Sequence, residues 1–208
     1  MKIACVFNSG CTYIYSADWV NRLRRQCLRW MPDIEFVTLS NCPNDIEGTV
    51  VDLKQEMLRG WWSKLELFDP DLVRDDLLFI DLDALVLKKF SQVLDLVSGS
   101  DYLWMLKDFT FPTEAASGVM YIPQSVKADM FQRLMSKKPD HPRGDGGLIA
   151  NAAHELGALQ VFHDHLDPDI LTSWKGSETT DKTEIISFHG IPKQHMVLNH
   201  PLVINHWL

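Results

Sequence analysis

Asp81 and Asp83 are the side chains whose type and spacing most directly suggest chemistry in this chain. They close the run Leu77-Leu-Phe-Ile-Asp-Leu-Asp83, in which residues 77–81 have the pattern of a strand buried on both faces of a parallel sheet. Along an extended chain, residues i and i+2 face the same side. Both carboxylates can therefore address one ligand at the carboxyl edge, where open α/β sheets place their ligands. Two carboxylates suit a hard divalent cation, Mn²⁺ or Mg²⁺, that bridges to phosphate. The same Asp-x-Asp pattern also occurs as a solvated turn at the end of a buried strand, so its company has to decide.

That company is basic, small and scattered along the chain. Lys64 lies in the amino-terminal part of an expected helix, a poor place for a cation against the helix dipole unless an anion is nearby. Ser117 and Gly118 open an apolar run, and the glycine allows a ligand to approach the backbone closely. Asp145 precedes Gly146, Gly147 and an alanine-rich stretch, where it reads equally as a helix cap or as a catalytic carboxylate. His189-Gly190-Ile-Pro-Lys193 follows a short strand and offers a histidine, a turn and a lysine together. His163 and His165 have no further ligand at zinc spacing, which favours a plain strand end over a metal site.

The elements that must position these groups alternate between strand and helix. A strand over Lys2–Phe7 is followed by the polar loop of Asn8 to Tyr13. Ser16 then caps a helix with Trp19, Val20, Leu23, Cys27, Trp30 and Met31 on its apolar side. With a strand over 35–39 this makes a right-handed β-α-β unit. An extended piece near Val50 and Val51 precedes a tryptophan-rich helix over 61–68, with Trp61, Leu65 and Phe68 expected on one core-facing side. Beyond the Asp-Leu-Asp strand come a helix over 91–97, a strand over 102–106 and an irregular, substrate-side loop over 107–115. A strand over 116–123, helices over 125–135 and 148–156, and a strand over 185–188 complete the pattern.

Composition limits the function classes. The chain has 208 residues, 46% of them apolar, enough for a single domain over 1–208 with a substantial core. A net charge of −8 argues against non-specific nucleic-acid binding, which needs basic surface. No stretch has the length of a membrane span, and the first residues read as a strand rather than a signal peptide, so a cytoplasmic protein is expected. The four cysteines include no Cys-x-x-Cys pair, which indicates neither a zinc site nor a disulfide framework.

Taken in order, Gly60-Trp-Trp-Ser-Lys-Leu-Glu-Leu-Phe68, Leu78-Phe-Ile-Asp-Leu-Asp83, Ser117-Gly-Val-Met120, Gly144-Asp145 and Phe188-His-Gly-Ile-Pro-Lys193 resemble GT-A glycosyltransferases. They are most similar to bacterial and viral relatives of glycosyltransferase family 8, the glycogenin-like group. The resemblance spans nearly the whole chain. It implies an α/β fold of Rossmann type with a mixed, mostly parallel sheet flanked by helices. It also implies transfer of a sugar from a nucleotide-sugar donor, a UDP-sugar, to an acceptor hydroxyl with retention. Asp81, Asp83 and His189 would hold Mn²⁺ or Mg²⁺, Lys193 would meet the diphosphate, and Lys64 would contact phosphate or donor sugar. Asn8 and the loop after it would lie at the nucleotide base. Ser117, Gly118 and Gly190 would line the donor site, with Asp145 at the reacting sugar. The chain departs from the family pattern at Ser187, where better-known members have the metal histidine, and at Gly146, where relatives often have glutamine. Two other classes fit parts of the pattern: a non-catalytic nucleotide-sugar binder, and a haloacid-dehalogenase-like phosphohydrolase using Asp81 as nucleophile.

Overall fold

The computed structural model describes residues 1–10, 14–176 and 179–207. The element order is β1 (Lys2–Phe7), α1 (Ala17–Trp30), β2 (Phe36–Ser40), β3 (Thr49–Asp52), a 3-10 helix (Gly60–Phe68), β4 (Leu77–Ile80), β5 (Ala84–Val86) and α2 (Ser91–Val97). It continues with β6 (Leu103–Lys107), β7 (Ala115–Ile122), α3 (Gln124–Met135), α4 (Gly144–Glu155), β8 (Leu159–Val161), β9 (Leu171–Ser173), β10 (Ile185–Ser187) and α5 (Pro201–His206). Seven strands form one sheet in the order β3-β2-β1-β4-β7-β6-β8. Its neighbours are parallel except on either side of β7, which runs antiparallel to both β4 and β6. The Asp-Leu-Asp strand is thus buried on both faces as expected, but has one antiparallel neighbour.

Side-chain alternation explains the layers. In β1, Ile3, Cys5 and Phe7 face one core with Val20, Leu23 and Cys27 of α1, while Ala4 and Val6 face the other. In β4, Leu78 and Ile80 join the first core and Leu77 and Phe79 the second, which contains Met130 and Leu134 of α3 and Leu148 and Ile149 of α4. A period of two along strands covered by helices on both faces gives this three-layer arrangement.

A second, three-stranded sheet in the order β5-β10-β9 brings the end of the chain to the end of β4. The register Ser187↔Ala84 and the bond from Phe188 N to Asp83 O, 2.9 Å, place the segment after β10 beside the Asp-x-Asp turn. Trp19 of α1, Leu85, Ile186, Phe188 and Val203 and Trp207 near the chain end form the core that fixes this small sheet.

Several sequence expectations change, among them Trp30, which is 37% exposed at the end of α1. Segment 61–68 is helical but wound as a 3-10 helix, and Trp61 lies outward, 60% exposed, while Leu65 and Phe68 are buried. A three-residue turn shifts the angular position of each side chain relative to an α-helix, which separates Trp61 from its intended partners. Ser16 precedes α1 without a side-chain capping bond. Among the described residues, no helix is long and apolar enough to cross a membrane.

Candidate active site

The site lies at the carboxyl ends of β1 and β4. Asp81 follows β4 directly, its N–H donating to Gly118 O of the adjacent β7 at 2.9 Å. Its Oδ1 accepts from the Leu82 N–H at 3.0 Å, which fixes the carboxylate at the strand end. A turn closed by Ala84 N to Asp81 O, 3.0 Å, then brings Asp83 to the same edge.

Each aspartate meets a lysine from a different element. Lys64, on the 3-10 helix, lies 2.6 Å from Asp81 Oδ2 and 3.3 Å from Asp145 Oδ2. Lys193 pairs with Asp83 Oδ2 and also donates to Phe188 O at 2.9 Å. Tyr15 donates its hydroxyl to the same Asp83 oxygen at 3.3 Å. Ser117, on β7, donates from Oγ to Asp145 Oδ2 at 2.6 Å. Asp145 is therefore not the cap of α4: it lies within the first turn, after Arg143 and Gly144, and its carboxylate is buried against Lys64 and Ser117.

Gly146 sits where α4 touches β7, and a Cβ there would be 3.2 Å from Ser117 N. A larger side chain at this position needs the strand or helix to shift. Gly190 has φ +66, a left-handed conformation that glycine adopts without steric cost. It turns the chain back after β10 so that Lys193 reaches Asp83.

Electrostatics follow from burial and charge. Burial and the neighbouring Asp81 carboxylate push the Asp83 carboxyl upward, and Lys193 opposes that shift. Burial alone would lower the Lys64 ammonium, but Asp145, Asp81 and Asp83 outweigh it and raise its pKa, so Lys64 remains charged. The Tyr15 hydroxyl is raised by burial and by Asp83 and Asp81, which keeps it neutral and able to donate.

These groups bound two adjoining chambers. The larger, of about 580 Å³, is lined by Asn8, Tyr15, Trp61, Lys64, Asp145 and Lys193 together with the aspartate pair. The smaller, of about 240 Å³, shares Asp81, Asp83 and Gly190 and continues to Asp108, Phe109, Ser117, Gly118, Ser187 and His189. Asn8 braces the larger chamber by donating to Ser63 Oγ at 2.7 Å and Leu58 O at 3.3 Å, while its Oδ1 accepts from Asn41 at 3.2 Å. Residues 11–13 of its loop lie outside the described residues.

The ten residues singled out from sequence thus all line one or other chamber. His189 is held apart from the aspartates' ion pairs: its Nε2 is 2.7 Å from Ser173 Oγ and its ring stacks on Phe109 at 5.5 Å. Burial and Lys175 lower its pKa, so the ring is neutral near pH 7. Among the described residues, no group of three His, Cys, Asp or Glu side chains is arranged to hold a metal. The two carboxylates do fit a hard cation, being oxygen donors that share one edge, where the Asp81 charge helps to push the Asp83 carboxyl upward. Tyr15 and Trp61 are not marked by the sequence as site residues, and nothing in their spacing sets them apart, whereas Asp108 belongs to the 107–115 loop expected on the substrate side.

Comparison with solved structures decides the fold. The galactosyltransferase LgtC in complex with donor and acceptor sugar analogues matches with a TM-score of 0.63 at 15% identity, over 93% of this chain and 89% of LgtC. The chain has a GT-A-like fold. A glycosyltransferase involved in glycosylation of the major capsid of PBCV-1 shares this glycosyltransferase fold with a TM-score of 0.57 and 13% identity, over 92% of this chain and 95% of that one. The apo form of GlyE from Streptococcus pneumoniae TIGR4 shares it with a TM-score of 0.65 and 14% identity, over 93% of this chain and 55% of GlyE. No family model and no curated protein matches the chain by sequence. In this fold, the two chambers lie at the carboxyl edge of the sheet, the place that open α/β architectures use for ligands.

Proposed function

We propose that this protein is a metal-assisted glycosyltransferase that uses a UDP-sugar and transfers the sugar, with retention, to an acceptor hydroxyl. The carrying observation is that two aspartates and two lysines from separate elements converge on one cleft. A cleft of about 580 Å³ lies within the usual range for small-molecule sites. Two ammonium groups in it suit a diphosphate, and the adjoining smaller chamber suits an acceptor sugar or other hydroxyl-bearing group.

In this reading Lys193 and Lys64 neutralise the diphosphate, which is the charge that grows as the sugar leaves. Asp81 and Asp83 would hold a divalent cation, with His189 as the expected third ligand. The cation's contribution when bound is Lewis-acid stabilisation of the departing diphosphate. Asp145, fixed by Ser117 and Lys64, faces the donor sugar and orients it. Asn8 and Tyr15 support the nucleotide side of the cleft, and Gly118 and Gly190 keep its walls narrow enough for backbone contact. The acceptor enters from the chamber bounded by Asp108, Phe109 and His189.

Calorimetric titration of UDP with Mn²⁺ present, and again with the metal chelated, tests this reading. Metal-dependent binding that disappears in Asp83→Ala is the expected result. Absence of UDP binding to the intact protein under both conditions would refute it.

A further inference from the structure

The ion pairs have a consequence for the order in which ligands enter. Both Asp81 oxygens are already engaged, Oδ2 by Lys64 and Oδ1 by the Leu82 N–H. At Asp83, Oδ2 is engaged by Lys193 and by the Tyr15 hydroxyl. The lysines and Asp83 are buried, so these pairs are little screened by solvent. Three carboxylates, Asp81, Asp83 and Asp145, face two ammonium groups and leave one net negative charge. A divalent cation entering alone would have to displace an ammonium group, and Lys193, whose carboxylate partner is Asp83, would lose its anion, whereas Lys64 would keep Asp145. A diphosphate changes this balance because it gives both lysines a new partner. On the far side, Asp108 is already paired with Arg143 at 2.5 Å and offers the lysines no alternative.

We propose that Lys64 and Lys193 are internal counter-ions that keep the aspartate pair closed to a divalent cation until a diphosphate draws them away. This rests on the UDP-sugar reading above and adds to it a coupling between metal and nucleotide. Lys193 is the main latch. It sits at the end of the turn formed by Gly190, and its ammonium bridges Asp83 and Phe188 O. Lys64 stays partly held by Asp145 when Asp81 is released, so its removal should matter less.

A metal that also contacts the diphosphate would bind cooperatively with UDP in any case, so the wild type alone does not decide the matter. The deciding quantity is the affinity for Mn²⁺ without nucleotide, read from the paramagnetic resonance signal of free Mn²⁺, in wild type, Lys193→Met and Lys64→Met. Methionine keeps much of the apolar stem and removes the competing charge. The expected result is that Mn²⁺ alone binds Lys193→Met about 10-fold or more tightly than wild type, a change within the usual range of site coupling. Its UDP affinity with Mn²⁺ present should fall. Lys64→Met should show a smaller change in the same direction, and serves as the deciding variant if Lys193→Met does not fold.

Unchanged or weaker Mn²⁺ binding in the variants that retain the wild-type circular dichroism spectrum would overturn the latch. If the wild type still bound UDP with Mn²⁺, the donor site would stand without it. If the wild type bound neither Mn²⁺ nor UDP, together or separately, the UDP-sugar reading would fail and the latch with it.

Discussion

Replacing Lys64 by methionine isolates the electrostatic cost of the buried network. The ammonium lies 2.6 Å from Asp81 and 3.3 Å from Asp145, and sits over the Phe79 ring at 5.6 Å. Methionine keeps much of the apolar stem's volume while leaving both carboxylates without the ammonium. Breaking a buried pair by removing one partner costs about 3–5 kcal/mol. The Asp81 side chain is 24% exposed and can turn partly to water, whereas Asp145 is 11% exposed and cannot, which places the expected loss near the lower end, at about 3 kcal/mol. For a chain of this size that corresponds to a fall in Tm of roughly 6–12 °C. The assay is thermal and urea unfolding of wild type, Lys64→Met, Asp145→Asn and the double variant at one pH. Asp145→Asn keeps an acceptor for Ser117, so the double variant should be less destabilised than the sum of the single ones by at least about 1 kcal/mol. A Lys64→Met protein within 0.5 kcal/mol of wild type, or fully additive effects, would refute the reasoning, since surface substitutions typically fall inside roughly that limit.

Gly190→Ala should lower UDP affinity and stability together. The strained left-handed backbone costs about 1–2 kcal/mol for alanine, while the Lys175 side chain, 2.8 Å from the added Cβ, can swing aside. Comparing UDP titrations and urea unfolding of the two proteins checks this. Phe79→Ala should cost about 3–5 kcal/mol in urea unfolding, because Phe79 is fully buried beneath the site.

Acid should weaken the fold through His163, whose Nε2–H donates to Leu171 O at 2.8 Å while Nδ1 accepts from the Lys107 N–H at 3.3 Å. Both nitrogens are committed in the neutral ring, and burial lowers its pKa from the ordinary 6.5. The unfolded chain then binds the extra proton first, so this contribution is complete above 6.5 and is lost as pH falls from 6.5 through the depressed folded value. Urea unfolding at stepped pH should show that slope reduced in His163→Gln.

The alternation of apolar residues made much of the layered fold legible in the sequence. Residues 2–7 were expected as a strand and are one, and the segment around Val50 and Val51 is the edge strand β3. Strands at 102–106 and 116–123 lie within one residue of β6 and β7 at each end. The antiparallel direction of β7 was not legible, because alternation records which face is buried and not which way a neighbour runs. Trp61 misled for a related reason: its hydrophobicity marks it for burial, but the local winding of the helix decides where it points. At the site, Asp81 and Asp83 were marked by their own spacing. Their pairing with Lys64 and Lys193 depends on folding that brings residues 110 positions apart into contact, as with Asp83 and Lys193. Asp145 was ambiguous because a helix cap and a buried carboxylate share one sequence pattern. Its burial against Ser117 and Lys64 separates the two.

Turnover is the most direct test of the account. Purified protein with Mn²⁺ and a panel of UDP-sugars should release UDP from at least one of them, and Asp83→Ala and Lys193→Ala should abolish that release. Proton NMR of the first-formed sugar product should show the anomeric configuration of the donor. No UDP release from any UDP-sugar, with hydrolysis of a phosphate monoester that requires Asp81 instead, would contradict the glycosyltransferase reading.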